Sequence, residues 1–277
     1  MSTTTTLPPT PAAAVGYNTE TFGPNPTLGT NWLPYSFNGV DPASINATQN
    51  ADGSVTIAGG GDTYNGQLAT AVPSGNGYVG EVFGGGFYTQ ATISVPGATE
   101  GLWSPTNNQF PAFWSDTIDG SAGPGNLVEV DFMEMDANSP GNYGYDMINW
   151  TDNSTAIGTS EPDANTGANL SQPNTYGFLW VPATSTTQGS ASWFFDGQQV
   201  GTVSWNQGQD PFGAIDSQQL ELILGAGANS PMTVSNTQVW QTSSANDSVN
   251  GSPAPFIGSS SSGGGSSGSG GGGSSGG

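Results

Sequence analysis

Residues 127–136 read LVEVDFMEMD, which places four of the chain's 21 acidic residues within eight positions of an otherwise apolar run. Side chains along a regular strand alternate between faces, so Glu129 and Asp131 share one face while Glu134, five residues after Glu129, points to the other. One extra residue at Phe132 or Met133, a β-bulge, returns Glu134 to the face of Glu129. The two glutamate Cα atoms then stand roughly 13 Å apart, at ~3.3 Å of rise per residue. Long side chains leaning toward each other can close that gap to the about 5–5.5 Å at which two carboxyls serve as nucleophile and acid/base on a glycosidic bond. Acids crowded on one face repel one another, which favours keeping one of them protonated, as the first step of that chemistry requires. The same pattern also reads as a solvated strand face. It reads too as a cluster of hard oxygen ligands for calcium, although the spacing matches neither an EF-hand nor a glycine-rich calcium repeat.

Outward from this stretch, helix periodicity is nearly absent and strand signals recur. Residues 54–58, 86–95, 127–135, 145–150, 175–181, 191–195, 198–204, 219–224 and 232–241 read as strands, separated by turn-rich connectors such as 138–142. Asp196-Gly197, set between two apolar runs, reads as a tight hairpin turn. Many short strands with this punctuation predict an all-β fold, a two-sheet antiparallel sandwich or jelly roll. Residues 1–15, rich in Thr, Pro and Ala, read as a disordered tail, 16–245 as one large domain, and 246–277 as a Gly/Ser-rich tail or linker.

The 277 residues include no Lys, Arg, His or Cys, giving a formal net charge of −21. With no side-chain cation to neutralise phosphate, nucleic acid and anionic membranes are excluded as partners. Disulfides, thiol nucleophiles, Cys/His metal sites and imidazole-based triads are excluded as well. Eight Trp, 8 Tyr and 12 Phe nevertheless suffice to build a core. No membrane-length apolar run and no evident signal peptide are present, yet the acidic, Cys-free composition reads as that of an exported protein, by a route the sequence does not name. As pH falls the acids neutralise, and the chain ends near zero charge instead of becoming strongly positive, which predicts tolerance of acid.

The string EVDFME at 129–134, read as ExDxxE, resembles the active-site strand of glycoside hydrolase family 16, the laminarinase-like enzymes on a concanavalin A-like β-jelly roll. Flanking segments agree in order: GFYTQATI at 86–93, GLW at 101–103 followed by PAFW at 111–114, MINW at 147–150, NTYGFLW at 174–180, WFFDG at 193–197 and MTVSNTQVW at 232–240. The resemblance spans about residues 17–241 and implies an endo-acting β-glucanase with Glu129 as nucleophile, Glu134 as acid/base and Asp131 as the residue that orients the nucleophile. It requires no cofactor but leaves room for a structural calcium, although Ser235 replaces the acid that some relatives use there. Thr92, Gln90, Asn149 and Asn174 stand where relatives carry Arg, Glu and His, and Leu179 where they often carry an acid.

Substrate contacts are expected from Asn149, which can still donate a hydrogen bond, and from stacking by Trp103, Trp114, Trp150 and Trp180. Trp32, Trp193, Trp205 and Trp240 are left to core or surface. Family members act on β-1,3-glucans, agars or carrageenans. Sulfated galactans need cationic side chains, so the expected partner is a neutral polysaccharide, a β-1,3 or mixed-linkage β-glucan with neutral agarose as the alternative, bound by a monomer. A non-catalytic carbohydrate-binding protein on the same fold is the alternative.

Overall fold

The computed structural model describes residues 7–35, 46–58, 67–74, 77–96, 111–118, 128–135, 142–150, 154–155, 163–209, 212–226 and 231–242. A short helix, α1 (Thr10–Ala14), precedes the strands. In chain order these are β1 (Thr19–Phe22), β2 (Leu33–Pro34), β3 (Ala47–Gln49), β4 (Val55–Ile57), β5 (Gln67–Ala69), β6 (Ala71–Ser74) and β7 (Gly77–Gly80). Then come β8 (Phe83–Gly84), β9 (Phe87–Ser94), β10 (Ala112–Thr117), β11 (Val128–Glu134), β12 (Asn142–Asn149), β13 (Ser154–Thr155) and β14 (Asp163–Asn165). The last five are β15 (Asn174–Val181), β16 (Gly189–Phe195), β17 (Gln198–Trp205), β18 (Gln219–Gly225) and β19 (Met232–Gln241).

Two antiparallel sheets hold nearly all of them. One runs β17-β16-β15-β9-β19-β4-β3 with β1 on β19, and the other β13-β12-β11-β10-β18-β5-β2 with β14 on β12 and β8 on β18. Hairpin-connected runs, β15 to β17 and β10 to β13, lie beside strands from distant parts of the chain, β9 next to β15 and β18 next to β10, as in a jelly roll. The expected all-β sandwich is thus the observed architecture.

Alternation builds the core between the sheets. From β11, Val128, Val130 and Phe132 turn inward; from β15, Tyr176, Phe178 and Trp180 do so, and all six are fully buried. Phe132 reaches the opposite sheet, stacking on Phe178 at 4.7 Å and meeting Phe113 edge-on at 4.7 Å. Such ring pairs add about 0.5–1.5 kcal/mol each beyond the area they bury. The Asp196-Gly197 turn joins β16 to β17, with both residues at positive φ, 46° and 78°, the geometry a two-residue hairpin needs. One buried acid belongs to this framework. Asp216 accepts the indole N–H groups of Trp180 at 3.3 Å and Trp205 at 2.8 Å and the Ala183 N–H at 3.1 Å, and burial still holds its carboxyl above the usual range.

Two readings of the sequence change. Part of 1–15 is an element rather than a tail: α1 carries Pro11 in its first turn, and its Ala12 is buried against Tyr17, Tyr88, Leu179, Phe194 and Trp240. Five residues are too few for helical periodicity to register. The 112–117 segment is a strand at the centre of its sheet. The 138–142 connector lies almost wholly, and the 246–277 segment wholly, outside the described residues.

Candidate active site

The bulge expected in β11 is visible from both sides. Against β10, Asp131 pairs with Trp114, Met133 with Phe113 and Glu134 with Ala112, so Phe132 has no opposite number. Against β12, Asp131 pairs with Asp146 and Glu134 with Gly144, three steps on β11 facing two on its neighbour. Ala112, Trp114 and Asp116 alternate onto one face of β10, so their partners Glu134, Asp131 and Glu129 share that face, the one turned away from the core. Trp193, reaching across from the other sheet, donates its indole N–H to the Asp131 carbonyl at 2.8 Å and satisfies backbone at the start of the bulge.

On this outer face the three acids sit in different surroundings. Glu129 is half-buried, whereas Asp131 and Glu134 are 1% and 7% exposed. The Trp150 indole N–H donates to Glu129 Oε2 at 2.8 Å, and Trp150 itself is 46% exposed. Trp114 lies beside Asp131, packed on Tyr35, Ala69, Ala112 and Ile223. Among the expected contact residues, then, Trp114 and Trp150 stand on the face of the acids.

Two others do not. Asn149 pairs with Val128 while Glu129 pairs with Ile148, so Asn149 points to the core side of β12 and is 4% exposed. The alternation of β12 turns it away from the acids. Trp180 belongs to the other sheet, is fully buried between the two and spends its N–H on Asp216. Neither is placed to meet a sugar on the outer face. Trp103 lies outside the described residues. Trp32, Trp193, Trp205 and Trp240 are all buried.

The register also brings in acids that the sequence reading missed. Asp116 pairs directly with Glu129 on one side and with Glu221 of β18 on the other, forming a cross-strand row of three carboxyls. Burial, reinforced by the neighbouring Glu129, pushes Asp116 up to about 8. Burial and Asp116 do the same to Glu221, also to about 8, against the opposing hydrogen bond from the Tyr35 hydroxyl. Asp146, opposite Asp131 and 2% exposed, accepts the Met147 N–H on its Oδ1 at 2.6 Å. The signal available in the sequence was an acid inside an apolar run, as in QLELIL at 219–224. Among the described residues no group of three or more Asp, Glu, His or Cys is arranged to hold a metal ion, and the Ser235 hydroxyl donates instead to the Thr92 carbonyl at 3.4 Å.

No family sequence model matches the chain, and no curated protein matches it. Solved structures do. The endo-1,3-β-glucanase of Streptomyces sioyaensis is similar with a TM-score of 0.53 at 16% identity, over 78% of this chain and 84% of that one. SCLam, a non-specific endo-β-1,3(4)-glucanase of glycoside hydrolase family 16, gives 0.51 at 16% identity over 82% and 89%. The endo-β-galactosidase of Clostridium perfringens that releases GlcNAcα1-4Gal gives 0.54 at 14% identity over 76% and 56%. The fold is therefore the one these glycoside hydrolases share, and it is the fold that the resemblance of the sequence implies.

Proposed function

We propose that the chain is a retaining, endo-acting glycoside hydrolase that cleaves neutral β-glucans, β-1,3 or mixed-linkage β-1,3-1,4. The observation that carries this reading is the bulge in β11, which turns Glu129, Asp131 and Glu134 onto one face at the centre of a sheet. Support comes from the ExDxxE resemblance and from a sandwich shared with glucanases. Glu129, half-buried and steadied by the Trp150 N–H, attacks the anomeric carbon. Glu134 gives its proton to the departing glycosidic oxygen and then, as carboxylate, takes one from the water that hydrolyses the glycosyl-enzyme. Asp131, between them, orients the nucleophile. Trp150 offers its exposed ring beside the nucleophile, and Trp114 flanks Asp131.

Substrate neutrality is supported by the absence of Lys, Arg and His, which leaves no cationic side chain to neutralise a sulfate or uronate. A polymer of this kind is met outside the cell, which accords with an exported protein. The test is release of reducing ends from laminarin, barley β-glucan and agarose, with Glu129→Gln as control and NMR of the first-formed anomer. Release from a glucan with retained β-configuration, lost in the control, supports the reading. Binding without release would favour a carbohydrate-binding protein instead.

A further inference from the structure

Asp116 and Glu221 have no part in the reaction as written, yet they stand in one cross-strand row with the proposed nucleophile, Glu129. Residues directly opposite in an antiparallel pair hold their Cβ atoms about 4.5–5.5 Å apart, so Asp116 faces Glu129 from β11 and Glu221 from β18 at side-chain contact range. Beyond Glu221 stand Tyr35, whose hydroxyl is hydrogen-bonded to it, and Tyr78. Among the described residues these, with Asp131 on the same face beside Glu129, are the titratable groups around Asp116, and the chain has no side-chain cation to place among them. Glu221 is 3% exposed and its Oε2 has no hydrogen-bond partner. A buried carboxylate oxygen left without a donor is costly, and the group across the strand that can supply one is a protonated Asp116.

We propose that Asp116 is a positioning residue for Glu129: protonated and hydrogen-bonded to Glu221, it presents a neutral carboxyl to the nucleophile, and its ionisation, together with that of the proton donor Glu134, shapes the alkaline limb of the reaction. The inference rests on Glu129 being the reacting carboxylate. Loss of the proton from Asp116 puts a second negative charge beside Glu129 and a third in the row, with nothing to compensate it. The upward displacement of both Asp116 and Glu221 to about 8 agrees with the pair retaining a proton at neutral pH.

The experiment is a set of kcat/KM profiles from pH 4 to 10 on laminarin for the full chain and for Asp116→Asn, Glu221→Gln and Glu129→Gln, with circular dichroism to establish that each variant is folded. The wild-type profile should fall on its alkaline side near pH 8. Asp116→Asn, which cannot ionise, should move that limb upward by about one pH unit or more. Glu221→Gln, which removes the negative neighbour and offers an amide donor to an ionised Asp116, should move it downward. A defect of packing alone would not send the two variants in opposite directions. Superimposed profiles for wild type and Asp116→Asn would overturn the proposal while an inactive Glu129→Gln leaves the assignment of the nucleophile standing. A fully active Glu129→Gln would overturn that assignment, and the proposal with it. Carboxyl 13C titration of the folded protein gives a readout without turnover: the Asp116–Glu221 pair should give up its last proton only near pH 8, and loss of both protons near the ordinary value of about 4 would also overturn the proposal.

Discussion

The Trp150 indole holds Glu129 by a single charge-assisted hydrogen bond at a partly solvated position. A hydrogen bond to a charged group contributes about 1.5 kcal/mol or more, so Trp150→Phe, which keeps a ring but removes the N–H, should lower kcat/KM by about tenfold. Steady-state kinetics on laminarin with an unchanged melting temperature would bear this out. An effect confined to KM would show that the ring, not the N–H, matters. At this scale the sequence was legible where chemistry was dense and local: acids packed into eight positions announced Glu129, Asp131 and Glu134. Asp116 and Glu221 escaped because each is a lone acid in its own strand, and only the pairing of β10 with both β11 and β18 makes them one group. Asn149 and Trp180 misled for the converse reason. Their places in motifs fixed their sequence neighbours but not the side of the strand on which each side chain falls.

Among the elements, β11 carries the proposed site through its one extra residue. Inserting one alanine between Asp131 and Phe132 would shift the strand by one more residue and send Glu134 to the core side, so activity should vanish and stability should fall, since Phe132 would leave its buried place and a buried aromatic is worth about 3–5 kcal/mol. Phe132→Ala, which keeps the bulge, should lose similar stability yet retain measurable turnover at low temperature; denaturant melts and assays on the two variants separate register from packing. Trp193→Phe should cost about 1–3 kcal/mol by leaving the Asp131 carbonyl without its donor, read in the same melts. Long strands were readable because alternation over seven or eight residues is a strong signal, and β9, β11, β15 and β17 lie within a residue or two of their expected bounds. Strands of two to four residues such as β2, β5 and β8 carry too little pattern. β10 was obscured by Trp114 and Asp116 on its outer face, which reads as a break in apolar alternation until the covering residues Tyr35 and Ala69 are in place.

Across the whole molecule the buried acids set the direction of pH dependence. Burial raises Glu81, Asp116, Asp216 and Glu221 above their ordinary values, while exposed Asp52 is lowered by its hydrogen bonds to Ser54. A carboxyl that titrates higher when folded keeps its proton better in the native state. The stability it contributes is complete at low pH and is lost as pH rises through the folded value. Melting temperature should therefore decline between about pH 4 and about 8, to which Asp116 and Glu221 are raised, the reverse of the usual acid-labile profile, and a scan across that window checks the sign. Trp150 gives the molecule one more property. Every other described tryptophan is buried, so among the described residues Trp150 is the indole that emits from a watery environment. Its excited state lies one hydrogen bond from Glu129, and a sugar settling on that carboxylate would shift and dequench the red edge of the protein's fluorescence, letting occupancy of the site be followed by light without any label.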